Sequence, residues 1–152
     1  MWTIDTALAK AQRTALVASL GACSVLGLPA AEAAPSTFDG RWSVSLVCDD
    51  VRENGVFAKG YTFKFLVDVQ DGRLSGQYGE KGQPSSLALE GRVDADGSLD
   101  LIAQGRTGKS EYTVGRVQPS TPYSYRMKGQ LTGSTGRAAR IELRPCLATF
   151  ER

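Results

Sequence analysis

The stretch Tyr61–Tyr78, YTFKFLVDVQDGRLSGQY, constrains the fold of this chain more than any other. Tyr61, Phe63, Phe65, Val67 and Val69 alternate with Thr62, Lys64, Leu66, Asp68 and Gln70, the period of a strand with one buried face. Asp71-Gly72 then supplies the two positive-φ residues of a tight hairpin turn. With that pair as the loop, Gln70 faces Arg73, Val69 faces Leu74, Val67 faces Gly76 and Phe65 faces Tyr78. The apolar residues all land on one face, so turn chemistry and hydrophobic register agree.

The same logic recurs on both sides. Phe38, Gly40, Trp42, Val44, Leu46 and Cys48 share one face of a first strand, and Asp49–Gly55 reads as a polar loop. In Leu87–Val93 the inward residues are Leu87, Leu89, Gly91 and Val93. A three-residue loop, Ala95-Asp96-Gly97 with Gly97 left-handed, brings Val93 opposite Leu99 and Gly91 opposite Leu101. Glu111–Val117 is a weaker strand, and Pro119 and Pro122 make Gln118–Pro122 a loop. Tyr123, Tyr125, Met127, Gly129 and Leu131 alternate cleanly, as do Ala139, Ile141 and Leu143. A loop ending at Gly136 would set Leu131 opposite Ala139, Gly129 opposite Ile141 and Met127 opposite Leu143. The expected fold is therefore all-β, an antiparallel up-and-down meander of about eight strands. Closure into a small barrel hides every strand edge and is favoured over a two-sheet sandwich. Inward glycines at Gly40, Gly76, Gly91 and Gly129 would let strands bend and leave room for aromatic rings.

Residues 1–33 read as a cleaved secretory signal: Lys10 and Arg13, the apolar run Thr14–Leu28, then Ala31-Glu32-Ala33. The run is about 15 residues, short of the roughly 20 that span a bilayer as a helix. An uncleaved anchor and a lipoprotein acylated at Cys23, within Leu20-Gly21-Ala22-Cys23, are the alternatives. Residues 34–152 then form a single domain that is periplasmic or secreted, with no transmembrane segment. In that oxidising setting Cys48 and Cys146 pair as a disulfide. Geometry objects, because the ends of the first and last strands of an even-numbered barrel lie roughly 25 Å apart at ~3.3 Å per residue. Either Pro145 breaks the last strand so that Cys146–Arg152 turns back as another segment, or the strand count is wrong by one.

The chain contains no histidine, which removes His-based triads, most zinc sites and the commonest neutral-pH base. No P-loop, dinucleotide fingerprint or nucleophile elbow is present. Asp49, Asp50 and Glu53 are the candidates for carboxylate hydrolysis or for holding a cation, but with no recognisable ligand spacing and no matching cleft a solvated acidic loop is the favoured reading. The D-x-D-G stretch at Asp94–Gly97 lacks the remaining ligands of a calcium loop. The expectation is a non-enzymatic protein with no cofactor and no metal. Two binding readings follow. A small apolar or amphipathic ligand would sit inside the barrel among Trp42, Phe63, Phe65, Tyr78, Tyr125 and Met127. Alternatively, charge directs a partner: residues 34–104 carry seven basic and eleven acidic side chains, whereas residues 105–152 carry nine and three. The proposed register points Arg126 outward opposite Arg144, a like-charge pairing that costs stability unless an anion intervenes. Arg126, Arg137, Arg140 and Arg144 would then meet an anionic envelope component, as an interaction or inhibitor protein does. Nucleic acid is not expected in this compartment.

Gly40-Arg41-Trp42 at the head of the first strand, followed by an all-β meander, resembles the calycins: lipocalins, avidins and fatty-acid-binding proteins. That resemblance implies a barrel and, by analogy with lipocalins, an arginine packed across Trp42, with Arg140 or Arg144 as candidates. Val44 stands where avidins carry a ligand-contacting asparagine, and no C-terminal helix is visible, so no ligand residues carry over. Asp39–Trp42 and Gly72–Gly76 (GRLSG) are also similar to the small, uncharacterised exported β proteins of proteobacteria. That likeness implies export and fold but no activity.

Overall fold

Alternation and turn residues place the strands where the sequence puts most of them, in a computed structural model that describes residues 36–152. The signal segment 1–33, its cleavage site and Cys23 lie outside the described residues. The strands are β1 (Gly40–Cys48), β2 (Val51–Glu53), β3 (Val56–Ala58), β4 (Tyr61–Gln70), β5 (Arg73–Tyr78) and β6 (Ser86–Val93). They continue as β7 (Ser98–Arg106), β8 (Pro122–Thr132), β9 (Thr135–Arg140) and β10 (Cys146–Glu151). Eight of them close an antiparallel barrel in the order β1-β10-β9-β8-β7-β6-β5-β4, and β2 and β3 form a separate ribbon.

Two hairpins follow the expected register. Gln70↔Arg73, Val69↔Leu74 and Val67↔Gly76 pair across Asp71-Gly72, both in positive φ. The ladder stops at Gly76, so Phe65 and Tyr78 meet only edge to face, with ring centroids 6.4 Å apart. Val93↔Leu99 and Gly91↔Leu101 pair across the bulged loop, where Gly97 is left-handed and donates to the Asp94 carbonyl.

The third hairpin corrects the sequence reading. Its loop is Gly133-Ser134, so Leu131 faces Gly136, Gly129 faces Ala138 and Met127 faces Arg140. Hydrophobicity favours turning Ala139, Ile141 and Leu143 inward, but sterics decide otherwise. A Cβ on Gly129 would lie 1.9 Å from the Arg137 carbonyl oxygen, and one on Gly136 would lie 2.3 Å from Leu131 Cδ2. Only the pairing of small residues lets β8 and β9 close up here. Ile141 and Leu143 are consequently exposed, Leu143 at 93% with a left-handed backbone. The expected clash of Arg126 with Arg144 disappears with that register; Arg126 pairs with Asp100 at 3.4 Å instead.

Two further corrections concern strand membership. Residues 111–117 form no strand: a 3-10 turn at Ser110–Tyr112 leads into a loop with Gly115 and Arg116 in positive φ. The eighth barrel strand is β10, after the break at Pro145, so the chain end runs back antiparallel along β1. Cys48 and Cys146 then face each other directly, with Cα atoms 4.1 Å apart, and form the disulfide. A disulfide fits maturation in oxidising surroundings. Asp49–Gly55 is also more than a polar loop, because Asn54-Gly55, both left-handed, turn β2 into β3. No helix among the described residues is long and apolar enough to cross a membrane.

The interior is filled from one end. Phe38 and Trp42 plug that end, the Trp42 indole donating to the Phe38 carbonyl at 2.9 Å. Arg152 lies 5.0 Å over the Trp42 ring and donates to the Asp39 carbonyl at 2.9 Å. The arginine across Trp42 is thus Arg152, where the sequence reading offered Arg140 or Arg144. Phe150, Leu131, Leu74, Val67, Leu89 and Met127 continue the packed core.

Candidate functional site

The opposite end of the barrel is not filled. A cavity of about 640 Å³ opens there, at the ends of β1 and β7 and the starts of β4 and β8. Alternation on β4 and β8 turns Tyr61, Phe63, Tyr123 and Tyr125 toward it, and Tyr78 at the end of β5 joins them. The rings form two clusters. Phe63 stacks on Tyr78 at 4.2 Å between centroids and leans on Tyr61 at 4.9 Å; Tyr123 stacks on Tyr125 at 5.9 Å. Val114, Val117 and Leu143, all exposed, form an apolar lip.

Of the residues expected to line a ligand pocket, Phe63, Tyr78 and Tyr125 do so. Trp42, Phe65 and Met127 belong to the packed core and do not line the cavity. Nor does space come from the inward glycines. A Cβ on Gly76 would strike Val67 at 2.3 Å and one on Gly91 would strike the Asp100 carbonyl at 2.2 Å, so these glycines admit neighbouring strands. The cavity instead follows from where the chain stops packing and polar aromatics begin.

The residues named as a basic face are dispersed. Arg126 and Arg137 lie on the exposed outer wall, whereas Arg140 and Arg144 line the cavity. The register shift turns Arg140 inward, its guanidinium carbon 4.1 Å above the Tyr125 ring. Arg144 is only 6% exposed and holds the rim together. Its Nε donates to the Asp49 carbonyl at 2.8 Å and its Nη1 to the Tyr112 carbonyl at 2.7 Å, while Nη2 donates to the Lys59 carbonyl. One guanidinium thereby ties the end of β1, the chain leaving β3 and the 3-10 turn. A backbone bond from Lys59 to Glu111 (2.9 Å) and the Lys59–Glu111 ion pair (3.1 Å) hold the same turn across the mouth. Burial lowers the pKa of Arg144, but a guanidinium stays charged.

Of the acidic-loop carboxylates, that of Asp50 has structural partners: it accepts from the Gly60 amide at 2.6 Å and pairs with Arg52 at 3.6 Å. Among the described residues no three carboxylate or cysteine side chains gather as a cation site.

Sequence reasoning missed Tyr61, Tyr123, Arg106, Lys109 and the 3-10 turn as cavity residues. Tyr61 and Tyr123 were legible from alternation with Phe63 and Tyr125. The loop residues carried no periodic signal. Burial pushes the phenol pKa of Tyr61, Tyr123 and Tyr125 up, so all three remain neutral hydroxyls across the physiological range. Tyr123 donates to the Ser86 carbonyl at 2.9 Å. Chemically, the site offers aromatic walls, neutral hydroxyls and guanidinium donors, with no carboxylate in the lining.

These features define a small closed β-barrel, packed at one end and hollow at the other. No protein family, characterised protein or solved structure matches the chain.

Proposed function

We propose that this is an exported, non-enzymatic barrel that binds a small apolar or amphipathic molecule in the cavity at its open end. The observation that carries this reading is the aromatic-walled cavity of about 640 Å³, within the size range of small-molecule sites. Its aromatic wall belongs to hydrogen-bonded barrel strands, and its loop side is tied down by Arg144, so little ordering would oppose binding. A lining without carboxylates, a chain without histidine and cysteines committed to each other favour binding over catalysis. Export is supported by the basic, apolar and small-residue pattern of residues 1–33 together with the disulfide. Kinship with the calycins belongs to the same proposal, supported by Gly40-Arg41-Trp42 and the arginine across that tryptophan.

Native mass spectrometry of the protein purified from periplasm tests the reading. A bound mass released on unfolding supports it. A bare chain that also takes up no apolar probe rejects it.

A further inference from the structure

Outside the barrel some arginines have carboxylate partners and others, such as Arg73 and Arg137, form no ion pair among the described residues. Arg41 pairs with Asp68 at 3.0 Å, Arg92 with Asp94 at 3.4 Å and Arg126 with Asp100 at 3.4 Å. Inside the cavity they have none. Arg106, Lys109, Arg140 and Arg144 all contribute to the lining, and none forms an ion pair among the described residues. Arg144 is spent on three carbonyl oxygens, and Arg106 donates to the Ser120 carbonyl at 2.7 Å. Arg140 is different: its Nε is buried without a protein partner. Beside it the hydroxyl of Tyr125, a residue 94% buried by its 6% exposure, also lacks a partner. The Tyr61 and Tyr125 hydroxyls lie near enough to influence each other's ionisation, but no hydrogen bond of normal distance and angle joins them.

Buried polar groups in folded proteins are nearly always paired, and an unpaired one costs roughly 1–3 kcal/mol. Here a guanidinium N–H and a phenol O–H, held together by the stacking of Arg140 on Tyr125, both lack partners in one cavity. Both can donate, and both would be satisfied by one acceptor carrying negative charge. From this geometry we infer that the ligand of this cavity is a monoanionic amphiphile whose carboxylate accepts from Arg140 Nε and the Tyr125 hydroxyl, its apolar body lying on the Phe63–Tyr78 stack. The inference rests on the proposed binding function and specifies its ligand class.

Calorimetric titration of the disulfide-bonded protein with decanoate, decanol and decyltrimethylammonium tests it. Decanoate is expected to bind at least about tenfold more tightly than decanol, the scale of one charge-assisted hydrogen bond. Decyltrimethylammonium should bind most weakly of the three. Arg140→Met should erase the preference for decanoate over decanol, and Arg140→Lys should restore part of it. Tyr125→Phe, which removes only the hydroxyl, should weaken decanoate severalfold. Wild-type decanoate and decanol binding equally would overturn the anion assignment and leave the binding barrel standing. Failure of all three probes to bind would overturn both. The wild-type comparison needs no variant to fold, so either result is decisive by itself.

Discussion

Replacing Arg144 by methionine removes the side chain that ties three rim segments together. It loses hydrogen bonds to the carbonyls of Asp49, Lys59 and Tyr112, and the guanidinium's position 5.0 Å over the Tyr61 ring. Hydrogen bonds to a charged group contribute about 1.5–3 kcal/mol each. Three would total roughly 4.5–9 kcal/mol if they were independent. They share one guanidinium, and carbonyls at a rim regain water when the side chain goes, so the expected loss is about 3 kcal/mol. For a domain of this size that corresponds to roughly 10 °C in Tm. Urea unfolding should show a lower midpoint with an unchanged m-value, because the barrel itself stays intact. Amide exchange should rise most in residues 107–121 and around Lys59, the segments Arg144 holds. Arg144→Lys should recover less than half of the loss, since one ammonium on a shorter stem cannot reach three carbonyls. An unchanged urea midpoint with unchanged exchange over 107–121 would refute the assignment of Arg144 as the rim's tie.

Other perturbations probe the barrel and its titration. Replacing Cys48 and Cys146 together by alanine opens a link between residues 98 apart in sequence. The expected loss is about 4 kcal/mol in thermal or urea unfolding. Gly129→Ala puts a methyl 1.9 Å from the Arg137 carbonyl oxygen, so β8 and β9 must part; about 2–3 kcal/mol of destabilisation is expected in the same assay. Tyr61, Tyr123 and Tyr125 have folded pKa values raised by burial. The stability they contribute is fully present below the unfolded tyrosine value of about 10 and is lost as pH rises through the folded values. Ultraviolet titration should therefore show these phenols ionising late, together with alkaline unfolding, and Tyr125→Phe should blunt that pH dependence.

Elements governed by local chemistry were legible in the residues alone. Asp71-Gly72 and Gly97 dictate their turns, and alternation from Tyr61 to Val69 and from Tyr123 to Leu131 dictates which faces are buried, because φ preference and side-chain period are properties of short stretches. The sequence also raised the right question about Cys48 and Cys146, since strand length alone showed that a simple eight-strand order could not join them. Tertiary structure decided the rest. Closure required that the last strand be Cys146–Glu151, lying along β1, a choice no local pattern encodes. The register of β9 was decided by close backbone approach at Gly129 and Gly136, against the apolar pattern of Ala139, Ile141 and Leu143. That shift by three residues, an odd number, carried Arg140 from the outer wall to the cavity, because a strand's side chains change face with every step. Where packing stopped was likewise a long-range outcome: Trp42 and Phe150 filled one end, and polar aromatics with Arg140 were left facing the space at the other.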